Sequence, residues 1–154
     1  MPHWEYSITG LDPDKTVKCS GREIRISPKA ATEICRAIRG MRLEQAKQFL
    51  EQVTTGSRPI EYRRYKKEVP HKSLNNWYAG RYPIKASNRL LKLLEQLESN
   101  AEYRGLETDR LRIIHASCQR GRRLLRFQPR AFGRSSPTTD VLTHIELVAF
   151  EGPE

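Results

Sequence analysis

Between Asp109 and Asp140 the chain runs thirty residues without an acid and places eight arginines there, with no lysine. They are Arg110, Arg112, Arg120, Arg122, Arg123, Arg126, Arg130 and Arg134. Arginine suits phosphate, because its planar fork donates two parallel hydrogen bonds where lysine offers a point charge. A field of one sign repels itself and costs stability unless something neutralises it, so the run points to a polyanion. A second basic set, Arg58, Arg63, Arg64, Lys66, Lys67 and Lys72, is interleaved with Tyr62, Tyr65, Trp77, Tyr78 and Tyr82. Guanidinium on phosphate and ring on base is what single-stranded or irregular RNA asks for. For Trp77, Tyr78 and Tyr82 a small satellite core over a helix serves as well, and Tyr82-Pro83 has the look of a structural staple.

Bond-making chemistry has little to stand on. There is no P-loop, no H-E-x-x-H, no G-x-S-x-G and no paired-carboxylate motif, and His3, His71, His115 and His144 are scattered. Cys19, Cys35 and Cys118 are widely separated and show no C-x-x-C spacing. His115 and Cys118 fall on opposite faces of a strand pattern, and a closed zinc site wants four ligands. No enzymatic activity, metal or cofactor is expected.

The 154 residues, 37% hydrophobic, can build one modest core and hence one domain. With 30% charged residues, a net charge of +10 and a pI near 9.9, the balance favours nucleic acid over an anionic membrane or an acidic protein. No apolar run reaches about 18 residues, so no span is expected. The basic segment also lacks the apolar helical face of a membrane-surface helix. Met1 to Gly10 has no apolar stretch of signal-peptide length, and the cysteine usage fits a reducing compartment, so a cytoplasmic protein is expected.

Elements follow from periodicity. Glu23 to Ile26 predicts a short strand. Ser27 as N-cap and Pro28 at N1 open a helix to Arg39 with Ala31, Ile34, Cys35 and Ile38 on its stripe, closed by Gly40. Leu43, Ala46, Leu50 and Val53 predict a second helix ending at Gly56. From Ser57 to Pro83 the periodicity disappears, predicting a long irregular loop. Leu90, Leu94, Leu97 and Ala101, widened by Leu93, predict a third helix from Ile84 to Arg104 stopped by Gly105. Leu111 to Cys118 and Val141 to Phe150 read as strands.

Pairing those strands antiparallel, Leu111 opposite Val148 and Cys118 opposite Val141, sets the turn between Pro129 and Arg130. At about 3.3 Å per residue, arms of some 17 residues reach roughly 55 Å, whereas a body of about 110 residues has a radius of gyration near 13 Å. The hairpin must protrude. The expected organisation is a body over about 16–118 and 141–151 and a basic extension over about 119–140, its tip at about 127–136. A two-stranded ribbon without a core is marginal in water, and Pro129, Pro137, Gly121 and Gly133 loosen it further. The outer half is therefore expected to be mobile in the free chain and ordered by its partner.

The tip string Pro129-Arg130-Ala131-Phe132-Gly133-Arg134-Ser135, preceded by Arg120-Gly121-Arg122 and followed by Thr143-His144-Ile145-Glu146-Leu147-Val148, resembles the universal large-subunit ribosomal protein twenty-two family, archaeal and eukaryotic type. Ser27-Pro28-Lys29-Ala30-Ala31, Ile38-Arg39-Gly40, Gly80-Arg81-Tyr82-Pro83 and Asn100-Ala101-Glu102-Tyr103 support it. The run from Asp109 to His115 does too, and His71-Lys72-Ser73 matches an insertion of the archaeal branch.

The resemblance implies an α+β fold of three helices packed on a small three-stranded antiparallel sheet, with a long protruding β-hairpin. It also implies a structural constituent of the large ribosomal subunit that binds large-subunit rRNA. Its hairpin tip lines the nascent-peptide exit tunnel, at Pro129, Arg130, Ala131, Phe132, Gly133 and Arg134. Lys29, Arg63, Arg64, Lys66, Lys67, His71, Lys72, Arg81, Arg112, Arg120, Arg122, Arg123, Arg126, Arg130 and Arg134 become the rRNA-binding candidates. Implied partners are large-subunit rRNA, neighbouring large-subunit proteins and the nascent peptide, with no homo-oligomer and no membrane insertion. The rival readings are a basic RNA-binding protein outside the ribosome and an enzyme acting on nucleic acid.

Overall fold

The computed structural model describes residues 5–74 and 76–152; His3 lies outside them. In order come β1 (Thr16–Ile24), α1 (Pro28–Ile38), α2 (Leu43–Thr54), β2 (Ile60–Glu61), β3 (His71–Leu74), β4 (Trp77–Arg81), α3 (Ile84–Tyr103), a 3-10 turn (Thr108–Arg110), β5 (Leu111–Pro129) and β6 (Ser135–Glu151). The fold is α+β, with one antiparallel sheet in the order β1-β6-β5 and a second in the order β2-β4-β3.

The three helices lie where the apolar spacing sets them. Ser27 occupies the N-cap of α1 and Pro28 its first turn, although the serine side chain makes no capping bond. Beyond α1, Gly40 takes a φ of +86° and donates its N–H to the carbonyl of Ile113 at 2.7 Å. Ile113 in turn donates to Met41 O at 2.9 Å, and Arg42 bridges Arg112. The link between α1 and α2 thus covers the free edge of β5, which would otherwise offer unpaired backbone groups to another chain.

Core side chains come from one face of the first sheet, from all three helices and, at Ile60 and Ala79, from the second sheet. Val17, Ile113, Ala116, Ile145, Leu147 and Ala149 meet Ile34, Ile38, Leu50, Leu90, Leu94 and Leu97, and all are fully buried. On the opposite face Glu146 and Val148 are also buried. Ser7, from the segment preceding β1, reaches Glu146 there with its N–H at 3.1 Å and its hydroxyl at 2.6 Å. His115 faces this cluster, 3.6 Å from Glu146, whereas Cys118 points the other way with its thiol at 3.6 Å from Pro28 O. Two sides of the sheet are therefore used as alternation requires.

Two expectations fail in the body. The first strand spans Thr16–Ile24 rather than Glu23 to Ile26, because Arg22 and Glu23 sit in an irregularity between Gly21 and Ile24, with Glu23 at a φ of +51°. Nor is Ser57 to Pro83 an irregular loop. It folds into the second sheet, whose strands of two, four and five residues are too short to show a period. Among the described residues no helix is long and apolar enough to cross a membrane.

Candidate RNA interface

The arginine run occupies the β5-β6 hairpin. The ladder is unbroken from Leu111↔Glu151 to Pro129↔Ser135 apart from two bulges in β5, at Ile113/His115 and Arg120/Arg123. Each bulge adds one residue to β5, which is why its 19 residues match 17 in β6. The expected register, Leu111 on Val148 and Cys118 on Val141, is therefore wrong: Leu111 faces Glu151 and Cys118 faces Ile145. The turn moves with it, from Pro129-Arg130 to Phe132-Gly133. Phe132 and Gly133 both have positive φ, +57° and +66°, as the two central residues of a type I′ turn do. Arg134 N–H closes the turn on Ala131 O at 3.3 Å, and Arg130 N–H reaches Arg134 O at 2.8 Å.

Burial stops where the second bulge begins. Leu142 and Thr143 are the last buried side chains on β6, and from Arg122 to Ser135 every residue except the half-buried Leu124 is exposed. At about 3.3 Å per residue the ten residues from Arg120 to Pro129 carry the tip roughly 30 Å beyond that point. The register groups Arg123, Leu125 and Phe127 on one face with Val141, Thr139 and Pro137. Leu124 and Arg126 share the other face with Asp140 and Thr138. Leu125, Phe127 and Phe132 are 63%, 66% and 99% exposed, surface that the protein itself does not cover.

Asp140, the acid that ends the run, lies between Arg25 at 3.0 Å and Arg126 at 3.3 Å. Arg130 donates to Ser136 Oγ at 3.3 Å. Arg112, Arg120, Arg122, Arg123 and Arg134 are exposed and have no carboxylate partner among the described residues.

The second basic set converges at the start of α1. A cavity of about 640 Å3 is walled by Lys29, Arg64, Lys66, Lys67 and Arg81 together with Tyr65 and Tyr82. Lys29 and Arg64 lie over the Tyr65 ring at 5.9 and 5.6 Å, and Lys72 over Tyr82 at 5.4 Å. Arg81 is braced by Glu68 O at 2.9 Å. Glu33, 1% exposed, sets the shape of this wall, because its Oε1 accepts the backbone N–H groups of Arg64 and Tyr65 at 2.8 and 2.9 Å.

Of the candidates in this part of the chain, Arg63, His71 and Lys72 stand outside the wall of that cavity. Arg63 is engaged by Glu61 through two nitrogens, at 2.8 and 2.9 Å, and covers Trp77 at 5.0 Å. His71 packs edge-on to Tyr78 at 5.0 Å. The aromatic cluster divides: Trp77 is half-buried and donates its indole N–H to Tyr62 O at 3.0 Å, whereas the stacked Tyr78 is 43% exposed.

Glu33, Arg25 and Asp140 escaped the sequence reading. Only Glu33 left a signal, as the one acid of α1, set among Ala30, Ala31, Ile34 and Cys35.

Comparison with known proteins matches the family model described as Ribosomal protein L22p/L17e over residues 19–149, which takes in nearly all of the core, the basic cavity and all of the hairpin but its last two residues. The chain belongs to that family. Archaeal relatives named large ribosomal subunit protein uL22 match it over nearly its full length. That of Methanopyrus kandleri is 49% identical over 153 residues, covering 97% of this chain and 96% of the relative. That of Archaeoglobus fulgidus is 49% identical over 150 residues, 97% of each. That of Cenarchaeum symbiosum is 48% identical over 151 residues, 98% of this chain and 99% of the relative. The long hairpin, the feature that makes little sense for a lone chain, thus lies almost wholly inside the segment that defines the family.

Proposed function

We propose that the chain works as a structural constituent of the large ribosomal subunit in the cytoplasm, with large-subunit rRNA and neighbouring ribosomal proteins as its partners. The observation that carries this is the exposed hairpin: arginines without carboxylate partners on a ribbon that leaves the core. The chain acts as one domain. Its body, about 16–118 and 141–151, positions the extension at about 119–140.

On this reading Arg120, Arg122, Arg123 and Arg126 hold the arms between RNA backbones. Lys29, Arg64, Lys66, Lys67, Lys72 and Arg81 form a second phosphate contact beside α1. Arg112, Arg63 and His71 lie at the margins of these two surfaces. The tip, Pro129 to Arg134, lines the exit tunnel, where Arg130, Phe132 and Arg134 meet the nascent peptide. Phosphate contacts fix position without carrying sequence information, and folded RNA is selected by shape. With about six to ten phosphates engaged, affinity falls roughly a thousandfold or more between about 50 and 200 mM salt.

The test is sedimentation of the tagged chain from cell extracts. It should travel with large subunits through moderate salt. A chain found only in light fractions would instead mark an RNA binder outside the ribosome.

A further inference from the structure

A second cleft, of about 870 Å3, lies between α1, α2 and the small sheet, and its wall includes Glu33, Arg36, Met41, Phe49, Arg58 and Arg63. Its size is that of a small-ligand site, roughly 300–1,000 Å3. Its charges are arranged unevenly. Glu33 is buried and uses Oε1 on two backbone amides, while Oε2, also buried, has no hydrogen-bond partner among the described residues. A buried acceptor left unmatched is destabilising, so this oxygen asks for a donor. Arg63 is already engaged by Glu61, but Arg36 and Arg58 are exposed and lack a carboxylate partner among the described residues. The Arg58 guanidinium lies over the Phe49 ring, 4.8 Å from its centre.

A free phosphate entering this cleft meets Glu33, and a lone cation meets two arginines. What satisfies both is a ligand with an N–H donor at one end, an anion at the other and a flat body between. We propose that the cleft takes an unpaired nucleotide of the bound RNA whose base carries an exocyclic amine. Because Oε2 is closed off in the free chain, the side chains over Glu33 part as the base enters; the amine then donates to Oε2, the base stacks on Arg58, and Arg36 meets the phosphate. Unpaired RNA bases are read in this way, by stacking on rings or guanidinium planes and by hydrogen bonds to their edges. The inference rests on the reading that the chain binds RNA.

The test uses the full chain and the four nucleoside 5′-monophosphates, titrated by NMR. CMP should shift the amides of Arg36, Met41 and Arg58 and bind about tenfold more tightly than UMP, the worth of one hydrogen bond to a charged acceptor. AMP and GMP should follow CMP. Glu33→Gln keeps a carbonyl for the two backbone amides and turns the second position into a donor, so the preference for CMP over UMP should be lost. Arg58→Ala should weaken all four alike and leave their order unchanged, a readout that stands even if the Glu33 variant does not fold. Equal binding of CMP and UMP, no shift at the cleft, or an unaltered order in folded Glu33→Gln would overturn the proposal. Hairpin variants separate it from the ribosomal reading, since they should leave mononucleotide binding intact while abolishing sedimentation with large subunits.

Discussion

The ring of His144 lies over Gly121, so close that a Cβ at position 121 would stand 2.7 Å from Nε2. Nδ1 of the same ring accepts the backbone N–H of Glu23 at 3.1 Å. The glycine thus does more than loosen the arm. It makes room for the side chain that ties β6 to the irregular end of β1 where the hairpin leaves the body. Gly121→Ala should displace the ring and break that bond, costing about 1–3 kcal/mol as overpacking does. The melting temperature should fall by roughly 2–4 °C per kcal/mol, which calorimetry on the free chain measures.

On the proposed reading, side chains that hold phosphate should differ from those at the tunnel-facing tip in their salt dependence. Replacing Arg122, Arg123 or Arg126 by alanine should weaken binding to rRNA fragments and reduce the salt slope by about one each. Phe132→Ala should leave the slope unchanged. Asp140→Asn frees Arg25 and Arg126 from their shared carboxylate, and because that pair is exposed, stability should change by less than about 1 kcal/mol. An unchanged slope in all three arginine variants would remove the arms from the interface.

Glu146 links the N-terminal segment to the sheet. Burial pushes its carboxyl up, but hydrogen bonds from Ser7, Gln119 and Ser117 together outweigh that, and the net shift is downward. A group whose folded value is depressed stabilises the fold above its unfolded value, about 4.3 for glutamate, and loses that contribution as pH falls through the folded value. Stability should therefore decline as pH drops below about 4.3. Glu146→Gln should flatten that part of the profile and lower stability at neutral pH by about 1–3 kcal/mol. Urea unfolding at several pH values reads both effects.

The outer ladder packs on nothing, so in the free chain it should open easily. Amides from Arg122 to Ser136 are expected to exchange quickly in isolation, while those of Ile113, Ile145 and Leu147 stay protected. High protection throughout the outer arms of the free chain would contradict this.

Much of the architecture was legible because helices declare themselves. The stripe through Leu90, Leu94 and Leu97 predicts α3, and the glycines expected to end the helices, Gly40, Gly56 and Gly105, all take positive φ. The hairpin was legible in outline, but its turn was not. Counting residues inward from two strands assumes an even ladder; nothing in Ile114 announces the first bulge, and Gly121 marks the second without giving its register. β2 stayed hidden because two residues cannot show alternation, and β3 because its single apolar residue, Leu74, is its last. The basic surfaces were readable as charge. The role of Glu33 was not, because its partners at Arg64 and Tyr65 lie 31 and 32 residues away and are joined only by the fold.

The central claim, that the arginine ribbon is built to lie inside ribosomal RNA, is tested most directly by cryo-electron microscopy of large subunits from cells that make this chain. The predicted density shows both arms enclosed by RNA, with Arg120, Arg122, Arg123 and Arg126 against phosphates and Phe132 at the wall of the exit tunnel. A hairpin lying free on the solvent side of the subunit, with its arginines away from phosphate, would contradict the account.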